Sequence, residues 1–281
     1  MVLDTVSNKM MRIGRASVLL SVVLFGALLL SGASSATVSA AQLPPDPFES
    51  VMWKQMAERY FPGEKVVFDS RVIVSAPKSA ENQFHVPITV DATALDNVEE
   101  IVAVADLNPI PHILTVRPIK ALSFVGFRVK LQQGTPIHVG ARTSDGVWHI
   151  GGAYVDAAGG GCTAPAMAHG QSNWMKTLGK TRALTRRESA LSARMTIRMR
   201  HPMDTGLAAG IPAFFMNKIT VRDEAGDAVA ELDLYEPVSE NPTVTIKPSV
   251  GQAEETLQVT ARDTEGNEFG FPLVVPSFNA Q

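Results

Sequence analysis

Cysteine is almost missing from this sequence: Cys162 is the only one in 281 residues. A single thiol excludes an intramolecular disulfide framework and any metal site built from several cysteines. Aromatic residues are sparse, at 6%, and scattered, so no platform for stacking nucleobases is visible. Charge of one sign is lacking too: 25 Lys and Arg face 28 Asp and Glu, a net −3. That balance removes the strongly basic face expected of a nucleic-acid binder. No haem, pyrroloquinoline or dinucleotide motif is present, so no cofactor of its own is expected. Strand patterns do not alternate with helix patterns, which argues against a nucleotide-binding α/β fold.

Long apolar runs are equally scarce. The one that stands out, Val18 to Leu30, is about 13 residues, short of the roughly 20 that span a bilayer. Arg12 and Arg15 precede it, and small residues ending in "VSAAQ" follow it. This is the order of a secretory signal, residues 1–41, with cleavage after Ala40 or Ala41. The expectation is export, in a bacterium to the periplasm, with no membrane attachment after cleavage.

What is present is mostly short strands. After the leader, residues 42–63 read as a helical segment, with Asp46 and Pro47 as cap and first turn and Pro62-Gly63 as the stop. Val51, Met52, Met56 and Tyr60 fall near helical spacing. From Lys65 the period changes to two. "KVVFDSRVIV", "FHVPITVDA", "VEEIVAVADL", "HILTVRPI", "LSFVGFRVKL", "IHVGARTS" and "VWHIGGAYV" are rich in β-branched residues and separated by turn residues. Seven such runs predict an immunoglobulin-like β-sandwich over residues 64–158. A second set, from "ARMTIRMR" to "EFGFPLVV", predicts another over 192–276. The fold class is therefore all-β: two immunoglobulin-like β-sandwich domains with a short helix at the front. Period-two patterning does not say how the sandwiches face each other.

Between them lies the stretch that asks for a function, "YVDAAGGGCTAPAMAHG". Cys162 follows Gly159, Gly160 and Gly161, which read as a flexible arm, since glycine has no Cβ and visits backbone regions closed to other residues. From Asp156 to Cys162 such an arm reaches at most about 20 Å, at 3.3–3.6 Å per residue. No Lys or Arg is near Cys162 in sequence and His169 is seven residues away, so neither a base nor a pKa-lowering partner is encoded locally. An exposed thiol without a base suits a carrier better than an enzyme. The rest of 159–191 is basic, with Lys176, Lys180, Arg182, Arg186 and Arg187 against Glu188, and reads as a linker with a helical portion or as a docking surface for an acidic partner. His85, His112, His138 and His149 lie in or beside strands without a metal-ligand spacing, and read as half-buried strand residues. His201 opens a turn in which Asp204 and Thr205 make local bonds.

At the level of family, "APKSAENQFHVPITV" (Ala76 to Val90) and the "GGGC" that ends the first block resemble SoxY, the sulfur-carrying subunit of the bacterial Sox system. "RHPMDTGLAAGIPAFFMNKITV" (Arg200 to Val221) and "VSENPTVTIKP" (Val238 to Pro248) resemble its partner SoxZ. The chain thus resembles a SoxYZ fusion, and is most similar to the fused carriers described as associated with quinoprotein dehydrogenases. That resemblance implies a protein with no catalytic centre of its own, holding a sulfur-containing or other thiol-reactive group covalently on Cys162. It implies intramolecular pairing of the two domains, at an effective concentration in the millimolar range. The implied partners are periplasmic redox enzymes or cytochromes, with a quinoprotein dehydrogenase among them. Free-standing SoxY ends just after its cysteine, whereas here Thr163-Ala164-Pro165 follow and the arm is tethered at both ends. The alternative reading is a non-covalent binding or assembly factor for such a dehydrogenase, with an incidental thiol.

Overall fold

A computed structural model describes residues 43–63 and 65–278. The expected signal peptide lies outside the described residues. In chain order they form α1 (Trp53–Tyr60), β1 (Val66–Phe68), β2 (Ile73–Ser75), β3 (Val86–Asp91), β4 (Val98–Ala105), β5 (His112–Arg117), β6 (Ala121–Val129), β7 (Thr135–Thr143) and β8 (Trp148–Val155). Two single-turn 3-10 helices follow, Met167–Gly170 and Trp174–Thr177. The second half is β9 (Thr181–Ser189), β10 (Ser192–Met199), β11 (Asp204–Thr205), β12 (Ala213–Phe214), β13 (Met216–Arg222), β14 (Ala228–Leu234), β15 (Thr243–Pro248), β16 (Glu255–Asp263) and β17 (Glu268–Val275).

The strands build two facing sheets that run through both halves without a break. One has nine strands, β1-β8-β7-β4-β5-β14-β13-β16-β17, and the other six, β2-β3-β6-β15-β10-β9. The joint is made twice. β5 pairs antiparallel with β14, Val116 opposite Leu232, and β6 pairs antiparallel with β15, Val125 opposite Ile246. Backbone bonds seal its ends, Lys120 N–H to Val229 O at 2.8 Å and Lys130 N–H to Pro237 O at 2.7 Å. Arg117 reaches across it to Asp233 at 2.7 Å, and within its own half to Glu100 at 3.3 Å. Residues of both halves, such as Val90, Val116, Val125, Met195, Leu232 and Ile246, share one core.

Alternation explains most elements. β3, β15 and β16 bury every second residue, the mark of a strand with one wet face. β4 and β7 are buried on both faces because the N-terminal segment covers their outer side. Trp53, Met56, Ala57 and Phe61 pack there on Val102, Val104, Trp148 and Ile150. Met56 and Phe61 are each 1% exposed, burial worth about 1.5–3 kcal/mol apiece.

Three expectations change. The helix starts at Trp53, and Asp46 does not cap it. The Asp46 carboxylate instead accepts from Phe48 N at 2.9 Å and Ser50 N at 2.7 Å, closing a turn ahead of the helix, and Val51 points into solvent. The run "KVVFDSRVIV" is two strands in different sheets, because the Asp69 carboxylate pins a turn by accepting from Arg71 N at 2.9 Å. The latter part of the basic linker is not a linker. It is β9, paired along its length with β10 as the edge of the six-stranded sheet.

Candidate functional site: the docked Cys162 loop

β8 ends at Val155, and the chain then lies along the segment that follows β6. Asp156 is bonded on both sides, N–H to Lys78 O at 2.9 Å and O from Ala80 N–H at 2.7 Å. Gly160 N–H donates to Gln132 O at 3.1 Å and Gly161 N–H to Leu131 O at 3.0 Å. Gly161 is where a side chain has no room: a Cβ would sit 2.5 Å from Leu131 O and 2.6 Å from Gln83 O. Gly160 has the opposite constraint, open space but a φ of +85° that favours glycine. In the docked loop these glycines permit a close backbone approach and a left-handed turn.

That approach carries Cys162 inward. It is 1% exposed, where a displayed thiol was expected. The shield comes from residues distant in sequence. Cys162 N–H donates to Gln132 Oε1 at 3.2 Å, the thiol Sγ–H to Lys130 O at 3.5 Å, and Thr205 Oγ1 donates to Cys162 O at 2.6 Å. Gln132 and Lys130 belong to the first half and Thr205, on β11, to the second, so the cysteine is pinned by both. Burial pushes its thiol up to about 11, and the nearby Lys130 charge offsets only part of this. The docked thiol is therefore protonated and a poor nucleophile near neutral pH.

Lys130 is the charge that sequence distance concealed. It is 7% exposed, and its Nζ donates to Met203 O. Burial brings it down to about 8, against the pull of Cys162, Asp204 and Glu240. A cavity of about 100 Å³ lies alongside, bounded by Lys130, His85, Gly161, Ala164, Asp204 and Glu240 among others. This is room for about three waters. On the far side of Cys162 the loop is held again. His169 Nε2 meets both Asp204 oxygens, at 3.0 and 2.9 Å, and Met167 N–H donates to Glu240 Oε2 at 2.7 Å.

His85 is half-buried beside β3, and the other four histidines have structural partners. His138 is fully buried rather than half-buried, with Nδ1 2.9 Å from Asp106 and Nε2 3.0 Å from Asp46. Burial opposes its charge, but the hydrogen bonds and charges of Asp106 and Asp46 outweigh it and raise its pKa. His149 meets Asp69 at 2.8 Å, and His112 stacks on Tyr235 with ring centres 3.8 Å apart. His201 accepts from Met203 N–H through Nδ1 at 3.1 Å, as a turn residue should. Burial takes it down to about 4. The reading of Asp204 and Thr205 as makers of local turn bonds was incomplete. Thr205 Oγ1 does accept from Leu207 N–H at 3.2 Å, but it also holds Cys162, and Asp204 holds His169.

The arrangement defines a class: two immunoglobulin-like halves sharing both sheets, with one thiol on a loop clamped between them. Comparison with known families gives the particular case. "Sulfur oxidation protein SoxY" matches residues 57–162, ending on Cys162, and "Sulphur oxidation protein SoxZ" matches residues 182–270. The chain belongs to these sulfur-carrier families, as a SoxY domain followed by a SoxZ domain, and the two domains pair. Both are non-catalytic carrier domains. Among solved structures it is similar to the sulfur carrier protein SoxY from Chlorobium limicola f thiosulfatophilum, at 16% identity and TM-score 0.34, over 38% of this chain and 96% of that one. It is also similar to the fibronectin(III)-like modules of Clostridium thermocellum CbhA, at 8% identity and TM-score 0.21, over 73% and 94% of the two chains. No curated protein matches. Among the described residues no helix is long and apolar enough to cross a membrane.

Proposed function

We propose that this protein is an exported, periplasmic sulfur carrier that holds its cargo covalently on Cys162. The observation that carries the reading is the clamp: the sole cysteine, at the last residue matched to SoxY, is held by Gln132, Lys130 and Thr205 in a buried, protonated state. A carrier needs such a resting state, because a permanently exposed thiol would react with whatever oxidant it met. Gly159, Gly160 and Gly161 then act as the flexible arm when the loop leaves its dock. The loop is tied at Asp156 and again at Met167, so Cys162 moves no further than about 17 Å from the second tie, five residues at 3.3–3.6 Å each.

Loading balances as thiol plus an inorganic sulfur anion such as thiosulfate giving an S–S-bonded adduct, one proton and two electrons. The thiol S–H bond breaks and the new S–S bond forms. In this reading the two electrons pass to a periplasmic redox partner, a cytochrome or a quinoprotein dehydrogenase. A second reading, a non-covalent assembly factor for such a dehydrogenase, takes the same burial as the mark of an incidental thiol.

The test is the intact mass of protein taken from its native cells without reductant, with the mass of the peptide containing Cys162. A sulfur-containing addition removed by reductant or sulfide supports the carrier and names its cargo. An unmodified thiol, together with full function of Cys162→Ser, assigns the protein to the assembly reading.

A further inference from the structure

The six-stranded sheet carries an unexplained concentration of positive charge. A groove of about 600 Å³ is lined by Lys180, Arg182, Arg198 and Arg200, with Thr177 and Thr181 between them. Among the described residues no carboxylate lies within salt-bridge distance of these four cations. Arg182 on β9 sits directly opposite Arg198 on β10 in the antiparallel register, and Lys180 and Arg200 are joined by their backbones at 2.9 Å. Like charges directly opposite each other destabilise a sheet. Charged residues on an edge strand often serve only to block edge-to-edge aggregation. That account covers Arg182 but not Arg198, which lies on an interior strand.

The patch is also placed where a carrier would want it. Lys180 and Thr177 adjoin the turns that tie down the far end of the Cys162 loop. On the other side, burial, joined by the charges of Arg128, Arg198 and Lys130, holds His85, on the rim of the cavity beside Gly161, below its ordinary value against the pull of Glu240. The chain as a whole is slightly negative, at −3, so this face is a local exception and not part of a general basic character. A weakly acidic molecule with one compact basic patch is poorly suited to the extended phosphate track of a nucleic acid or to a lipid surface. It suits a protein face with a matching cluster of carboxylates.

Resting on the carrier reading, we propose that the groove of Lys180, Arg182, Arg198 and Arg200 is the docking surface for an acidic face of the enzyme that works on Cys162. Docking there sets the partner against the loop's second tie and brings its active-site mouth beside the cavity.

The experiment measures association of the full chain with immobilised poly-L-glutamate at low and high salt, for the native sequence and for Arg182→Glu/Arg198→Glu. The expected result is an on-rate that falls with salt and is lower by about tenfold or more in the double variant, as for other electrostatically steered encounters. Equal rates for the two proteins overturn the proposal. So does salt-dependent binding to phosphatidylglycerol vesicles or to a DNA duplex that exceeds binding to polyglutamate, or self-association that the double variant abolishes. Cys162→Ser serves as the control that separates this from the carrier reading. It removes any cargo and leaves polyglutamate binding unchanged, whereas the charge reversals leave alkylation of Cys162 unchanged.

Discussion

The buried state of Cys162 makes a quantitative prediction about its reactivity. With its pKa pushed up to about 11, roughly 0.1% of the docked thiol is thiolate at pH 8, against about 24% for an ordinary thiol near 8.5. That is a loss of about 240-fold in reactive species. A more basic thiolate is intrinsically more nucleophilic, with a Brønsted slope of 0.4–0.5, which returns about 13-fold over 2.5 pH units. The docked thiol should then react about 20-fold more slowly with iodoacetamide than the same residue in denaturant, before any account of access. Access slows it further, because Sγ sits under Lys130 O and the reagent reaches only molecules whose loop has opened. Thr205→Val removes the hydroxyl that donates to Cys162 O and should speed alkylation at pH 8 several-fold without changing the unfolding temperature much. The assay is the mass of the Cys162 peptide against time of exposure. A native-state rate within twofold of the denatured rate would refute the reasoning, because it would mean that the clamp does not hold in solution.

Other predictions follow from the same contacts. Gly161→Ala places a Cβ 2.5 Å from Leu131 O and should release the loop, bringing alkylation of Cys162 close to the denatured rate while circular dichroism stays native. His201 is buried neutral, held at about 4 against about 6.5 in the unfolded chain, so its contribution is fully present above about pH 6.5 and is lost as the pH falls towards and through 4. Over that range the loss is roughly 3 kcal/mol, and urea unfolding at pH 7 and 4.5 should show His201→Asn losing less on acidification than the native chain. Arg182→Glu replaces a like-charge cross-strand pair with an opposite one, and should stabilise the fold by about 0.2–1 kcal/mol in the same assay even as it weakens docking.

Most of the sandwich was legible because its strands have one wet face and alternate accordingly, as in "TVTIKP" and "ETLQVTARD". β9 was not. Its inward positions hold Thr181, Thr185 and Arg187 instead of apolar residues, so "TRALTRRES" has no period-two signal; its only strand partner is β10, with Thr185 and Arg187 bonding across to Val274 O and Pro276 O. The cysteine was visible as a singular residue, but its surroundings were not. Lys130 and Gln132 precede it by about thirty residues, Thr205 follows it by about forty, and nothing local to "GGGC" reports that they close over it. The same three glycines suit both a loose arm and a tight approach, and the contacts of Gly161 with two carbonyl oxygens exist only once the fold has formed.

The unbroken sheets bear on how the chain is made. β5 and β6 each have an open edge until β14 and β15 reach them, some hundred residues later in the sequence. At ordinary rates of synthesis that is about 5–20 s, long enough for an unprotected strand edge to find a wrong neighbour. Two separate subunits would have to meet by diffusion within such an interval, and any imbalance in their supply would leave one of them with sticky edges. Joined in one polypeptide, the two halves are produced in equal number and in the same place, so every copy that receives β5 and β6 also receives the strands that cover them.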